Sequence, residues 1–271
     1  MVTVTGSAKV GTVTYAPTAT FTAPPAKTGF PDATNTGPRG TLTPYSGNRT
    51  ITTTVTIQDQ DITGVILVGA NGHLTLRNCR VTSGDYWPVR VSVSSGSLLI
   101  EDCELKGGLD TQAALSGYNI TARRINIWGC TDGIKVQDNS LIEDSYIHGL
   151  TGNADAHYDS IDILGSNVTV RHCTIENSHS QTSCVSIEDL SPAAHDITVE
   201  GNYLAGGGYT TYGSNQSGSH LIKLINNKYS TKFFPKCGYY GPEAYWTNGD
   251  GTNVSSGNTW IDGPNVGKPV T

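Results

Sequence analysis

Four residues in one short stretch of the sequence are suited to acid–base chemistry. Asp155, His157, Asp159 and Asp162 all lie within residues 153–162. Enzymes that cleave glycosidic bonds commonly use two carboxyl groups that lie close together, one of which is held protonated. The three aspartates could supply such a pair, and His157 could act as the base of a lyase or orient a carboxylate. The stretch is therefore the candidate catalytic site.

The same stretch has a structural alternative, because Asn and Asp side chains also stabilise turns by bonding their own backbone. A calcium loop of the EF-hand type is not supported, since Tyr158 stands at the position of the required Gly and Leu164 at that of the closing Glu. Zinc is not indicated either, because the histidines elsewhere lack a His-x-Glu or Cys-x-x-Cys partner. We therefore expect no metal and no cofactor.

The overall composition indicates many short strands joined by turns. The chain has 271 residues, of which 32 are Gly and 36% are hydrophobic, and no segment keeps a helical period over three turns. A net charge of -6 argues against a nucleic-acid partner, which requires clustered Lys and Arg. The charge is compatible with neutral or cationic partners. No apolar run is long enough to cross a membrane and no secretion leader is visible, so no membrane insertion is expected.

An internal repeat predicts how the strands are arranged. The pattern is an apolar residue, any residue, an apolar residue, any two residues, a small residue or Cys, any residue and an apolar residue. It recurs about every two dozen residues, a spacing typical of one solenoid coil. We therefore predict an all-β, single-stranded, right-handed parallel β-helix. The copies begin at Val55, Leu74, Leu98, Ile120, Ser140 and Val168, with weaker copies at Ile197, Ile222 and Val254.

Charged residues that the pattern does not use support this register. Three residues after the start of six successive copies, the charge alternates in sign: Arg77, Glu101, Arg123, Glu143, Arg171 and Glu200. Parallel strands stacked about 4.8 Å apart bring such side chains next to one another. Because like charges would repel there and opposite charges attract, we predict that Arg123 lies between Glu101 and Glu143 on one outer face.

The register also predicts which side chains fill the interior. Cys79, Cys103 and Cys173 share one inward position, where a free Cys packs as a small hydrophobe. This assignment predicts that the protein has no essential disulfide. A second inward strip follows in most coils and comprises Val89, Val91, Val93, Ile134, Val136, Ile161, Ile163, Val185 and Ile187.

The second strip also orients the candidate site. Since Ile161 and Ile163 point inward, Ser160 and Asp162 are predicted to point outward. His157 and Asp159 come directly before this strand, at the rim of the long segment between Ile147 and Ile161. The long loops should therefore project from one side of the solenoid.

The two ends of the chain differ from the coils, and we divide it into four parts. Residues 1–29 form an N-terminal arm with a Pro-rich linker, 30–50 a lead-in segment, 51–232 the coils, and 233–271 a C-terminal cap with the last coil. The arm alternates Val and Thr but is too short to bury a core alone, so it needs a partner. Aromatic residues at 233–240 and 245–246 are assigned to a hydrophobic cap, with stacking on sugar rings as the alternative.

Several segments resemble a known family. Residues 29–38, 41–47 and 236–242, together with the coils, are similar to parallel β-helix proteins of actinobacteria and their phages, so the resemblance covers about residues 29–262. The stretch His157–Ile161 resembles the His-x-Asp-Gly-Ile segment common in polysaccharide-acting β-helices, with Ser160 in place of the Gly.

The resemblance implies a function. Phage members of the family are minor tail proteins, and a chain without a visible leader looks more like these virion components than like the secreted bacterial members. The resemblance therefore implies a virion protein that binds host cell-wall or capsular polysaccharide through loops on the side of the β-helix. Its arm would join other virion proteins, and the assembly would be a homotrimer. The alternative is an active polysaccharide hydrolase or lyase, either secreted or carried on the virion.

Overall fold

The computed structural model describes residues 29–214, 216–248 and 251–270. Within these ranges, 28 strands form three parallel sheets, and the only helix is a short 3-10 turn at Gly263–Asn265. The chain passes through the three sheets in turn, and each strand pairs with the equivalent strand of the next coil. The protein is a right-handed parallel β-helix, as the repeat predicts. The predicted arm, up to residue 28, lies outside the described residues.

The strands are numbered in chain order. Sheet A contains β1 (Thr43–Pro44), β4 (Gln60–Thr63), β7 (Arg80–Thr82), β10 (Glu104–Lys106), β13 (Asn126–Trp128), β16 (Tyr146–Ile147), β19 (Thr174–Asn177), β22 (Tyr203–Gly206), β25 (Lys228–Tyr229) and β28 (Thr259–Trp260). Sheet B contains β2 (Thr50–Ile51), β5 (Ile66–Val68), β8 (Val89–Val91), β11 (Ala113–Gly117), β14 (Asp132–Val136), β17 (Ile161–Ile163), β20 (Val185–Ile187), β23 (Tyr209–Tyr212) and β26 (Gly241–Ala244). Sheet C contains β3 (Thr54–Gln58), β6 (His73–Arg77), β9 (Ser97–Glu101), β12 (Ile120–Arg123), β15 (Ser140–Glu143), β18 (Val168–Arg171), β21 (His195–Glu200), β24 (His220–Ile225) and β27 (Val254–Ser256).

The predicted charge row is confirmed on the outer face of sheet C. Arg123 pairs in register with Glu101 on one side and Glu143 on the other. Its guanidinium lies 3.6 Å from Glu101 and in direct contact with Glu143. Arg171 Nη2 lies 2.5 Å from the other oxygen of Glu143. Although burial opposes the shift, the two arginines lower the pKa of Glu143.

The interior of the first corner, between sheets C and A, holds the predicted cysteines. All six cysteines of the chain are buried and free, and the backbone N–H of Cys79 donates to Cys103 Sγ at 3.3 Å. Burial raises the pKa of Cys173 to about 12, so its thiol stays protonated. In later coils asparagines take over this position: Asn202 N donates to Asn227 Oδ1 and Asn227 N to Asn258 Oδ1.

Two details of the predicted interior are wrong. Val93 follows the end of β8 and is 38% exposed, because the chain has already begun to turn. The last copy of the repeat is displaced by one residue, since Val254 pairs with Lys223 and not with Ile222. Asn253 occupies the inward position there, and its side chain accepts a hydrogen bond from Ile222 N at 3.0 Å. An apolar pattern does not reveal such an amide.

The corner between sheets C and A depends on one residue per coil with positive φ. Asn and Asp adopt this left-handed conformation more readily than other residues with a side chain, which explains why they are frequent here. The left-handed residues of this corner are Asp59, Asn78, Asp102, Arg124, Asp144, His172, Gly201, Asn226 and Gly257.

The lead-in segment lies along the outside of this corner. The Phe30 ring lies 5.6 Å from that of Tyr203, Gly37 N donates to Arg124 O, and Arg39 N donates to Asn78 Oδ1 at 2.7 Å. The segment therefore runs from a late coil back to the first one. It ends in β1 and β2, which pair with strands of the following coil.

The aromatic C-terminal segment packs against the core only in part. Trp246, Trp260 and Val270 pack against the core, whereas Tyr239, Tyr240 and Tyr245 are 55–60% exposed. The prediction that this segment acts as a hydrophobic cap is therefore wrong for the tyrosines. The described residues include no α-helix of the length and hydrophobicity needed to cross a bilayer.

Candidate functional site

An open groove of about 730 Å³ lies over the outer face of sheet B. The loop between β16 and β17 forms one of its edges, because the chain leaves the solenoid after Ile147 and returns only at Ile161. We call this depression the sheet B groove. Its charged lining residues are Asp110, Asp132, Lys135, Asp155, Asp159, Asp162 and Glu188, together with His157.

At the centre of the groove, one ammonium group stands between two carboxylates. Lys135 Nζ lies 3.0 Å from Asp132 Oδ2 and 2.5 Å from Asp162 Oδ2. Lys135 faces outward because Ile134 and Val136 fill the core, and it pairs in register with Asp162 of the next strand. Burial opposes its charge, but the two aspartates outweigh burial and raise the pKa of Lys135.

Asp162 is buried, and one of its oxygens is unsatisfied. Asp162 is 4% exposed, and Oδ1 has no hydrogen-bond partner. Burial raises its pKa to about 6, although Lys135 opposes the shift. At neutral pH the short contact with Lys135 therefore favours the ionised carboxylate, whose Oδ1 is buried without a hydrogen-bond partner.

Asp159 lies beside this pair in a different environment. Its backbone N–H donates to Asp132 Oδ1 at 2.9 Å, and its own Oδ1 accepts a hydrogen bond from Ser183 Oγ at 2.7 Å. Burial, followed by the charge of Asp162, raises the pKa of Asp159 to about 7. A large fraction of Asp159 is therefore protonated near neutral pH, next to carboxylates that are ionised.

The structure brings two of the four predicted site residues into this centre, namely Asp159 and Asp162. Asp155 and His157 line the groove at its rim and are exposed. Asn153 Oδ1 accepts a hydrogen bond from Asp155 N at 3.1 Å, which is the turn-stabilising role considered as the alternative.

Ser160 does not point outward as predicted. It is fully buried, and its hydroxyl donates to the carbonyl of Glu176 at 3.0 Å. The alternation of the strand fails here because Ser160 precedes β17 and belongs to the corner between sheets A and B.

Sequence reasoning missed Asp132, Lys135 and Gln112, whose Nε2 donates to Asp132 Oδ2 at 2.7 Å. The sequence does contain a signal. The segment Asp132-Gly133-Ile134-Lys135 has the same pattern as the segment Asp159-Ser160-Ile161-Asp162, which follows one coil later. Alignment of the coils on the second inward strip would have placed the two segments side by side. In the described part of the chain, no group of three His, Cys, Asp or Glu residues is arranged to hold a metal ion.

The coils and the lateral groove define the class of protein, which is a β-helix with a polar groove on one sheet face. The family model described as right handed beta helix region matches residues 63–229. This range is more than half of the chain, which therefore belongs to the right-handed β-helix family. The domain is common to proteins that bind or degrade polysaccharides. No curated protein and no solved structure matches the chain.

Proposed function

We propose that the protein binds a polysaccharide along the sheet B groove. The observation that carries this proposal is the open groove over sheet B, whose centre holds Lys135 between the carboxylates of Asp132 and Asp162. Sugar hydroxyls are donors of the right kind for the carboxylates that line the groove, and a hydrogen bond to a charged acceptor contributes more than one to a neutral acceptor. The parallel sheet repeats its side-chain positions about every 4.8 Å, which suits a ligand that is itself a repeating chain.

The charge of the groove favours neutral or cationic sugars. Among the described residues that line the groove, Lys135 alone carries an ammonium group; acidic side chains surround it, and two of them already neutralise it. The resulting negative potential would repel a polyuronate or a phosphate-rich polymer. A neutral or amino-sugar polysaccharide is therefore the ligand class that fits.

Affinity electrophoresis tests this proposal. Native gels containing galactomannan, xylan or glycol chitin should retard the wild-type protein in at least one case, whereas polygalacturonate should not. Asp162→Asn should lose the retardation because the amide removes a negative charge from the groove and, with its oxygen toward Lys135, puts an NH2 donor in place of the second acceptor. Asp144→Asn, which removes the same charge on another face, should keep it. The proposal fails if no neutral polysaccharide retards the wild type, or if the two variants behave alike.

A second candidate function is hydrolysis of the bound glycan. It is supported by the contrast between Asp159, whose pKa is about 7, and the ionised carboxylates that Lys135 holds. Asp159 would donate its proton to the glycosidic oxygen as the bond to the anomeric carbon breaks. An ionised carboxylate would accept a proton from the attacking water.

Release of reducing ends from the retarding polysaccharide tests hydrolysis. Asp159→Asn should lower kcat by about 10²-fold or more, since it removes a general acid, while retardation in the gel persists. Unchanged turnover in this variant would exclude Asp159 as the acid. Retardation without any release of reducing ends would leave binding as the function and eliminate hydrolysis.

We also propose that the chain is a virion component that is held by its arm and presents the groove to the host surface. This proposal comes from the resemblance to phage minor tail proteins. It agrees with the position of the sheet B groove on a different side of the solenoid from the lead-in segment, which leads back toward the arm.

A further inference from the structure

Five tyrosines gather where sheet B approaches its C-terminal end. Their rings form a chain of contacts 4.9–5.7 Å apart between centroids. So many large aromatic side chains at one solvent-facing site are unusual, because they are normally buried or bound to something. The five residues are Tyr209, Tyr212, Tyr239, Tyr240 and Tyr245.

Two of these rings form one wall of a second depression. Tyr212 and Tyr245 stack with centroids 5.3 Å apart and an angle of 21° between their planes, and Tyr245 is 60% exposed. They line a depression of about 270 Å³ together with Glu188 and Asp189. Glu188 also lines the sheet B groove, so the two depressions lie next to each other on either side of this residue.

The register places this depression in line with the centre of the groove. Asp162 pairs with Ser186, which pairs with Tyr212. Tyr212 therefore lies two coils from Asp162 in the same outward row, about 10 Å along the axis. A chain of sugars that lies along the row would reach both positions.

We propose that the Tyr212–Tyr245 pair is a stacking subsite for a sugar ring of the polysaccharide that occupies the groove. A pyranose presents an apolar C–H face and a rim of hydroxyl donors. The exposed ring of Tyr245 matches the face, and Glu188 and Asp189 supply acceptors for the rim. This inference rests on the proposed polysaccharide function and adds a second contact point, which sets the direction of the bound chain.

The backbone of Tyr245 allows a clean test. Its φ is 54°, a left-handed conformation that is costly for a bulky aromatic residue but readily adopted by Asn. Tyr245→Asn should therefore remove the ring without lowering the stability of the fold. Tyr240→Asn is the matched control, because Tyr240 is equally exposed, at 59%, but lies in a different depression beside Lys236 and Lys268.

The experiment is affinity electrophoresis in galactomannan, xylan and glycol chitin, with thermal melting of each variant. In the polysaccharide that retards the wild type, Tyr245→Asn should weaken binding about 3- to 10-fold, the usual worth of one aromatic contact, while Tyr240→Asn leaves it unchanged. Unchanged binding of Tyr245→Asn, or equal loss in both variants, would overturn the subsite.

The outcomes separate this proposal from the broader one. If the wild type and Tyr245→Asn bind alike while Asp162→Asn does not bind, the groove stands and the subsite falls. If no polysaccharide retards the wild type, both proposals fall. If light scattering shows self-association that Tyr245→Asn abolishes, the tyrosines form a contact between copies of the chain and the subsite is refuted.

Discussion

At the residue scale, the sheet B groove contains charged side chains that are partly or fully buried. Without a function in the groove, such side chains would lie in water. In the described part of the chain Asp159 has no ammonium partner of its own, because Lys135 contacts Asp132 and Asp162. Burying a carboxylate without a cation costs free energy, which is why the pKa of Asp159 rises to about 7 from its ordinary 3.8. Such a cost is typical of binding and catalytic sites.

This shift predicts an unusual pH dependence of stability. Because the folded protein favours protonated Asp159, the stabilisation from that proton is complete below pH 4 and is lost as the pH rises through about 7. Asp159→Asn cannot ionise. The variant should match the wild type near pH 4 and exceed it near pH 8 by about 2 kcal/mol, a value reduced for partial exposure and coupling.

Urea denaturation of both proteins between pH 4 and 8 measures this difference in unfolding free energy. The informative quantity is the change in the difference with pH, since other titrating groups are common to the two chains. A difference that stays constant across this range would mean that Asp159 titrates normally in the folded protein.

Asp159 and Asp162 could be predicted from the sequence because both lie in one recognisable stretch. Asp132 and Lys135 could not be found in that way, since they are distant in sequence and approach only through the stacking of β14 on β17. The error at Ser160 has a related cause, because strict alternation applies within a strand and not at the corner before it.

At the scale of the strand, the alternating charges on sheet C determine which residues of successive coils lie side by side. This part of the fold was predictable, because parallel stacking allows only one partner on each side of a residue. Arg123→Glu should place three negative charges in a row and lower the free energy of unfolding by about 1–2 kcal/mol, given two partly exposed ion pairs.

Chemical denaturation measures the cost, with Arg123→Gln as the control that removes attraction without adding repulsion. Arg123→Glu should have a lower free energy of unfolding than Arg123→Gln. Added salt should reduce this difference, because the row of charges is partly solvated. Equal stability of the two variants would contradict the role assigned to the row.

The burial of the cysteines predicts how the protein responds to reductant. The six cysteines are free and buried, so they contribute by packing and by weak hydrogen bonds such as that between Cys79 N and Cys103 Sγ. Thermal melting should therefore give the same Tm with and without reductant. A marked fall in Tm on reduction would reveal a disulfide that stabilises the fold.

At the inward position of the corner between sheets C and A, Asn replaces Cys in the later coils. The apolar repeat is therefore weaker there. Asn202, Asn227 and Asn258 hold successive coils together by accepting hydrogen bonds from buried backbone N–H groups. Hydrophobic periodicity does not register a buried amide, and the displacement of the last copy follows from this.

At the scale of the whole molecule, the lead-in segment and the groove occupy different sides of the solenoid. Phe30 and Arg39 pack along the corner between sheets C and A, while sheet B stays open. This arrangement leaves the groove accessible when the chain is held through residues that precede the lead-in.

Two truncations separate attachment from stability. Removal of residues 1–28 should leave a soluble β-helix with unchanged Tm that no longer joins its oligomer or particle. Removal of residues 1–42 also deletes the lead-in contacts and should lower the free energy of unfolding by roughly 2 kcal/mol or more. Melting curves and size-exclusion chromatography distinguish the two effects. If the shorter deletion still assembles normally, the attachment surface lies elsewhere.

The most direct test of the central claim, that the sheet B groove binds a polysaccharide, is a crystal structure with an oligosaccharide of the polymer that retards the protein. We predict sugar rings along the outward row from Lys135 to Tyr212, with sugar hydroxyls that donate hydrogen bonds to carboxylates of the groove. An oligosaccharide bound on the face of sheet A or sheet C, with the groove free of sugar, would contradict the account.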